Sequence, residues 1–287
     1  MTLDTPAAAG SPVPTAAASF LPHGLLAAIS AMTGAALLAG SYIGHAGLLV
    51  AAAVVQTALV FSWVLGTALP GRIGAIILGV LAAAGADAAV SRWHDSGFGP
   101  VLGLLGLAVP AMFIHQLTRG VVRIRVLESM SDITVLLVAV VSVAGLLLLR
   151  RQGDGETTTP AVIAAITAAL TAAHLTDSLL ARPRFDPTVE RGVAGVVAGV
   201  VVAAAVGVLW LRSVIGFTGA RSAFVAATIG GLSCLISVGV SFAGSHAGFD
   251  AGGRRPAVPR LRPIASVLLT VGLGAPLGYV LISWLSV

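Results

Sequence analysis

The chain has 287 residues, 57% of them hydrophobic and only 9% charged, with a formal net charge of +5. Soluble domains carry about 25% charged residues, so this chain cannot cover a water-facing surface; in hydrocarbon, where each charge is costly, the shortage is a requirement. The basic balance does not point to nucleic acid, because the arginines are spread thinly between apolar segments and form no basic face or stripe.

Every basic residue is arginine, and lysine and asparagine, whose codons are AT-rich, are absent. That pattern suggests a GC-rich genome. The single cysteine, Cys234, lies in an apolar segment and reads as a small core residue that excludes an intrachain disulfide. Residues 1–20 are rich in Ala, Pro, Ser and Thr, with Asp4 as their only charge. No basic residue precedes the first apolar run, so the n-region of a cleavable signal peptide is missing. This tail is expected to be a disordered extension.

Crossing about 30 Å of hydrocarbon takes about 20 mostly apolar residues. Nine segments qualify: 25–43, 47–69, 73–90, 100–117, 133–149, 161–180, 193–211, 223–242 and 264–285. The expected fold is all-α, a polytopic helical membrane protein of about nine transmembrane helices, with residues 21–287 forming one domain and no soluble domain between spans. Trp63, Trp93, Trp210 and Trp284 all fall near span ends, where indole meets both headgroup and acyl chain.

Arginine bias sets the orientation. With the N-terminus inside, the inner loops hold eleven arginines (Arg72, Arg119, Arg123, Arg125, Arg182, Arg184, Arg191, Arg254, Arg255, Arg260 and Arg262) and the outer loops five (Arg92, Arg150, Arg151, Arg212 and Arg221). The expected place is therefore the plasma membrane with a cytoplasmic N-terminus. The short linker at Gly44 and His45 is critical, since merging two spans there would reverse part of the assignment.

In the seventh span Gly192, Gly195, Gly199 and Gly207 recur near one helical face, and Gly274 and Gly278 repeat the pattern in the ninth. Small residues let a neighbouring backbone approach closely. These faces are expected to pack mainly within the chain, with docking of another membrane protein as the alternative. Pro110 and Pro276 sit in similar contexts, GLAVPAMFI and GLGAPLGYV, in spans of opposite direction. Such a pairing suggests an inverted repeat, whose broken helices line binding sites in transporters.

Ionisable groups inside spans are functional candidates by default. They are Asp87 near the outer end of span three, His115 near the inner end of span four, and His174 with Asp177 on one face of span six. A carboxylate one turn from an imidazole can fix its tautomer and build a proton relay or half a metal site. Two ligands fall short of the three or four a metal wants, so no metal or other cofactor is expected. Arg119, Arg123 and Arg125 interleave with aliphatic residues as in an interfacial segment, and with Arg182 and Arg184 are expected to contact lipid headgroups.

From Asp177 onward the chain resembles the C-terminal half of the CDP-diacylglycerol synthases. The resemblance rests on Arg182, on Asp186-Pro187-Thr188-Val189-Glu190-Arg191-Gly192 in place of a Ser-Pro-x-Lys-Thr-x-Glu-Gly loop, on Gly230-Gly231-Leu232 in place of Gly-Asp-Leu, and on Ala275-Pro276. It implies a lipid-modifying enzyme that uses Mg²⁺ at the cytoplasmic face. The family's lysines are missing, and its second acidic position falls on Gly231. The residues therefore favour a non-enzymatic transport component or accessory subunit over a divergent enzyme of that kind or a scaffold.

Overall fold

The computed structural model describes residues 23–67, 69–93, 97–118, 126–180, 182–186, 189, 191–214, 216–250 and 257–285, apart from the side chains of 244–250 and 285. The N-terminal tail and Arg119, Arg123 and Arg125 lie outside these residues. Every expected span is helical: α1 (His23–Ile43), α2 (His45–Gly66), α3 (Arg72–Arg92), α4 (Gly99–Thr118), α5 (Val126–Ser142) continued by α6 (Gly145–Arg150), α7 (Gly155–Leu179), α8 (Val193–Trp210), α9 (Gly219–Asp250) and α10 (Arg262–Leu285). Among the described residues, nine stretches are long and apolar enough to cross a membrane.

Helices are the economical answer in lipid because each backbone N–H and C=O must find its partner inside the segment. The hydroxyls obey the same constraint. Ser30, Thr33, Thr167 and Ser233 each donate to the carbonyl four residues earlier, at 2.8–2.9 Å. The faces turned away from the bundle are apolar, with Leu102, Leu107, Phe113 and Ile114 of α4 and Val197 and Val201 of α8 exposed, while polar side chains such as Gln56, His174 and Arg191 are buried. This distribution suits a hydrocarbon solvent and opposes an aqueous one. Gly44 alone separates α1 from α2, at φ 114°, so the linker is a real chain reversal between two spans.

The α7 helix is the centre of one part of the bundle, packed against α1, α8, α9 and α10. The α10 helix touches α1, α2, α5, α6, α7 and α9, whereas α4 packs chiefly on α3 and α5 at the periphery. Pro110 and Pro276 therefore occupy unlike places, and the packing does not match them as halves of a repeat. The glycines of α8 face inward: a Cβ on Gly195 would strike the Asp177 carboxylate, one on Gly199 the Cys234 sulfur, and one on Gly207 the Ser222 carbonyl. Gly274 and Gly278 meet Ser233 and Val162 in the same way. These small-residue faces are covered by the chain's own helices.

The fifth span is not the continuous helix expected over 133–149. It turns at Val143 and Ala144, where Ala144 N–H bonds Val141 O at 3.2 Å and Leu146 N–H bonds Val143 O at 3.0 Å, both three residues back instead of four. Irregular backbone at membrane depth is tolerated where it is buried in protein or lines a water-filled cavity, and α6 is buried from Gly145 to Leu149.

Candidate functional sites

Two polar clusters lie in the bundle. The first sits where the start of α1, the end of α7 and the start of α8 meet. The α7 helix ends with Leu180 N–H on Thr176 O, and the following chain doubles back: Val193 N–H bonds Pro183 O at 3.0 Å and Phe185 N–H bonds Arg191 O at 3.4 Å. That reversal carries Arg191 inward instead of leaving it in the loop. Arg191 is 1% exposed, against 3% for both His174 and Asp177.

Arg191 Nη1 lies 3.2 Å from Asp177 Oδ2 and 2.5 Å from His174 Nδ1. The contact with Asp177 is an ion pair by distance without hydrogen-bond alignment, since Oδ2 accepts no hydrogen bond. Asp177 Oδ1 instead accepts the Gly192 N–H at 3.2 Å, with a further backbone bond from Gly195. His23 closes the cluster, its Nδ1 3.4 Å from His174 Nδ1 and the two rings tilted at a centroid distance of 5.7 Å. Burial pulls the Arg191 guanidinium below its usual range, and the Asp177 charge pulls it back up.

Could this cluster hold a metal? His23, His174 and Asp177 each offer a ligand atom, all within 4.8 Å of one another, which supplies the third donor that the sequence did not reveal. A fixed guanidinium nevertheless stands within reach of two of the three donors, and its charge opposes any cation placed among them. Mg²⁺ also wants oxygen ligands in octahedral array, whereas two of these donors are imidazoles and the position expected to carry a second acid is Gly231. The residues do not fit the Mg²⁺ site that the resemblance implies.

The second cluster lies within α2, α3 and α5. The Asp87 carboxylate, 8% exposed, accepts a hydrogen bond from Gln56 Nε2 at 3.1 Å; the same nitrogen donates to Val140 O at 3.2 Å. His115 belongs to neither cluster. Its ring lies against Gly74 of α3, where a Cβ would collide with it. The structure thus joins His174 to Asp177, gives Asp87 a partner, and leaves His115 apart. Arg182 and Arg184 are exposed on the loop after α7.

Three participants are not evident from the sequence. His23 directly precedes the first expected span, at the end of the tail. Arg191 counts among the topology arginines, although its neighbour Gly192 marks a close backbone approach. Gln56 carries the clearest signal, a primary amide eleven residues into a 22-residue apolar helix. No protein-family model matches the chain, and comparison with curated proteins and with solved structures gives no match.

Proposed function

We propose that this chain is a non-enzymatic transport component of the plasma membrane, with its N-terminus in the cytoplasm. The observation that carries the reading is Asp87, a buried carboxylate hydrogen-bonded to a neutral amide beside a span broken at Val143 and Ala144. An ionisable residue at membrane depth costs at least about 2.5 kcal/mol, and such residues mark ion pathways and proton relays. Discontinuous helices belong to the same setting. Against a lipid-modifying enzyme stands Arg191, which neutralises Asp177 and crowds its donors. The orientation is supported by the arginine bias of the loops.

Reconstitution tests the reading. Purified protein in liposomes is assayed for proton and alkali-cation flux, and in parallel for turnover of anionic lipid with CTP and Mg²⁺. Flux in the native protein and its loss in Asp87→Asn is the expected result. Lipid turnover abolished by Asp177→Asn would replace transport with enzymatic chemistry. Silence in both assays, with a membrane partner recovered on mild solubilisation, would make the chain a scaffold.

A further inference from the structure

We propose that Asp87 is a reversible proton-binding site inside the bundle, with the Gln56 amide as the group that accommodates both of its protonation states. The consequence for turnover rests on the transport reading above; the proton site itself is tested separately.

The helix break creates the setting. Because Ala144 N–H turns to Val141 O, the Val140 carbonyl loses its helical donor, and Gln56 Nε2 supplies one from α2. A primary amide nitrogen has two hydrogens. One serves Val140 O and the other serves Asp87 Oδ1. Flipping the amide would set its oxygen against two acceptors, which fixes the assignment. Gln56 is 0% exposed, and its Oε1 is buried without a hydrogen-bond partner. The site thus holds an idle acceptor beside a carboxylate, and what it lacks is a donor.

A proton supplies that donor. Among the described residues, an ionised Asp87 is hydrogen-bonded to a neutral amide and to no cation, an arrangement that burial makes expensive. Taking up H⁺ from the aqueous phase converts the carboxylate to the neutral acid and provides an O–H donor, for which Gln56 Oε1 is the unpartnered acceptor of the adjoining amide. Releasing H⁺ restores the carboxylate, which the amide N–H then holds. A metal cation suits the site less well, because amide hydrogens already occupy the space between Asp87 Oδ1 and Val140 O.

Among the described residues, no fixed cation takes over this role. The elements packed on α3 are α2, α4, α5 and α6. Their ionisable residues are His45, His115, Glu128, Asp132 and Arg150, and α3 itself adds Arg72 and Arg92. At about 1.5 Å per residue, His45 is about 16 Å along α2 from Gln56, and Arg150, beyond the break at the end of α6, pairs with Glu156 at 3.1 Å. Asp132 and Glu128 are about 12 and 18 Å from Val140, and His115 lies against Gly74, about 20 Å from Asp87. Arg92 is the nearest cation in sequence, five residues toward the end of α3.

Dicyclohexylcarbodiimide, an apolar reagent selective for protonated carboxyl groups in membranes, reads the site in the full-length protein. Adducts are mapped by mass spectrometry across a pH series, with and without Na⁺, and Asp87→Asn provides the blank. The expected result is an Asp87 adduct that falls at least tenfold as pH rises and is indifferent to Na⁺. Gln56→Leu, which removes the donor to the carboxylate, should retain several-fold more adduct at high pH than the native protein. No adduct at any pH, or an adduct independent of pH, would overturn the proposal. Protection by Na⁺ would overturn the proton in favour of a metal cation. A pH-dependent adduct in a protein without flux would keep the proton site and remove the transport reading.

Discussion

The Arg191 guanidinium is held 3.2 Å from the Asp177 carboxylate with both groups buried, so each is the other's counter-charge. Removing one member leaves the other uncompensated in a low dielectric, which costs about 3–5 kcal/mol, whereas replacing both by apolar side chains is close to neutral. Arg191→Met and Asp177→Leu should each lower the unfolding temperature in detergent by many degrees, and the double variant should recover most of that loss. Additive losses in the double variant would mean that the two side chains do not act as a pair.

The same guanidinium makes a prediction about metals. With Arg191 present, His23, His174 and Asp177 should not take up Co²⁺, and the purified protein should show none of the visible absorption of cobalt held by nitrogen and oxygen ligands. In Arg191→Ala the three donors, which lie within 4.8 Å of one another, lose the opposing charge. Cobalt absorption should then appear and be lost again on adding His174→Ala. Native protein that binds cobalt through His174 would contradict the role assigned to Arg191.

The spans were legible because the apolar runs are long and lipid admits few alternatives to a helix. His174 and Asp177 were legible as a pair because a three-residue spacing puts both on one face. Arg191 was not, since its burial depends on the reversal between Pro183 and Val193, a loop geometry that no periodicity encodes. The break at Val143 and Ala144 was hidden for a related reason. Against a continuous helix Val-Ala-Gly sets only the glycine's penalty of about 1 kcal/mol, and the turn is sustained by partners elsewhere in the chain: Gln56 on the Val140 carbonyl, and Phe98 and Pro276 against Gly145.

Glycine packing on α8 offers a stability test. A methyl group on Gly195 would collide with the Asp177 carboxylate and with the Ala173 carbonyl, both on α7. Overpacking of this kind costs about 1–3 kcal/mol. A methyl group on Gly103 of α4 would meet nothing within 4 Å, so Gly103→Ala should be neutral or stabilise the helix by up to about 1 kcal/mol. Comparing melting curves of Gly195→Ala and Gly103→Ala in the same detergent checks the contrast. Equal effects would show that α8 does not approach α7 as closely as the fold requires.

Orientation can be decided without reference to activity. Cys234 is buried, so it leaves a silent background for an impermeant thiol reagent. Gly153, exposed between α6 and α7, and Ala257, exposed just before α10, stand at opposite ends of the bundle. The arginine bias favours a cytoplasmic place for the Ala257 end, whose loop carries Arg254, Arg255, Arg260 and Arg262. In intact cells Gly153→Cys should therefore label and Ala257→Cys should be shielded until the membrane is permeabilised. The reverse pattern would invert the topology and place the buried cluster of His23, His174, Asp177 and Arg191, which shares the Ala257 end, on the outer side.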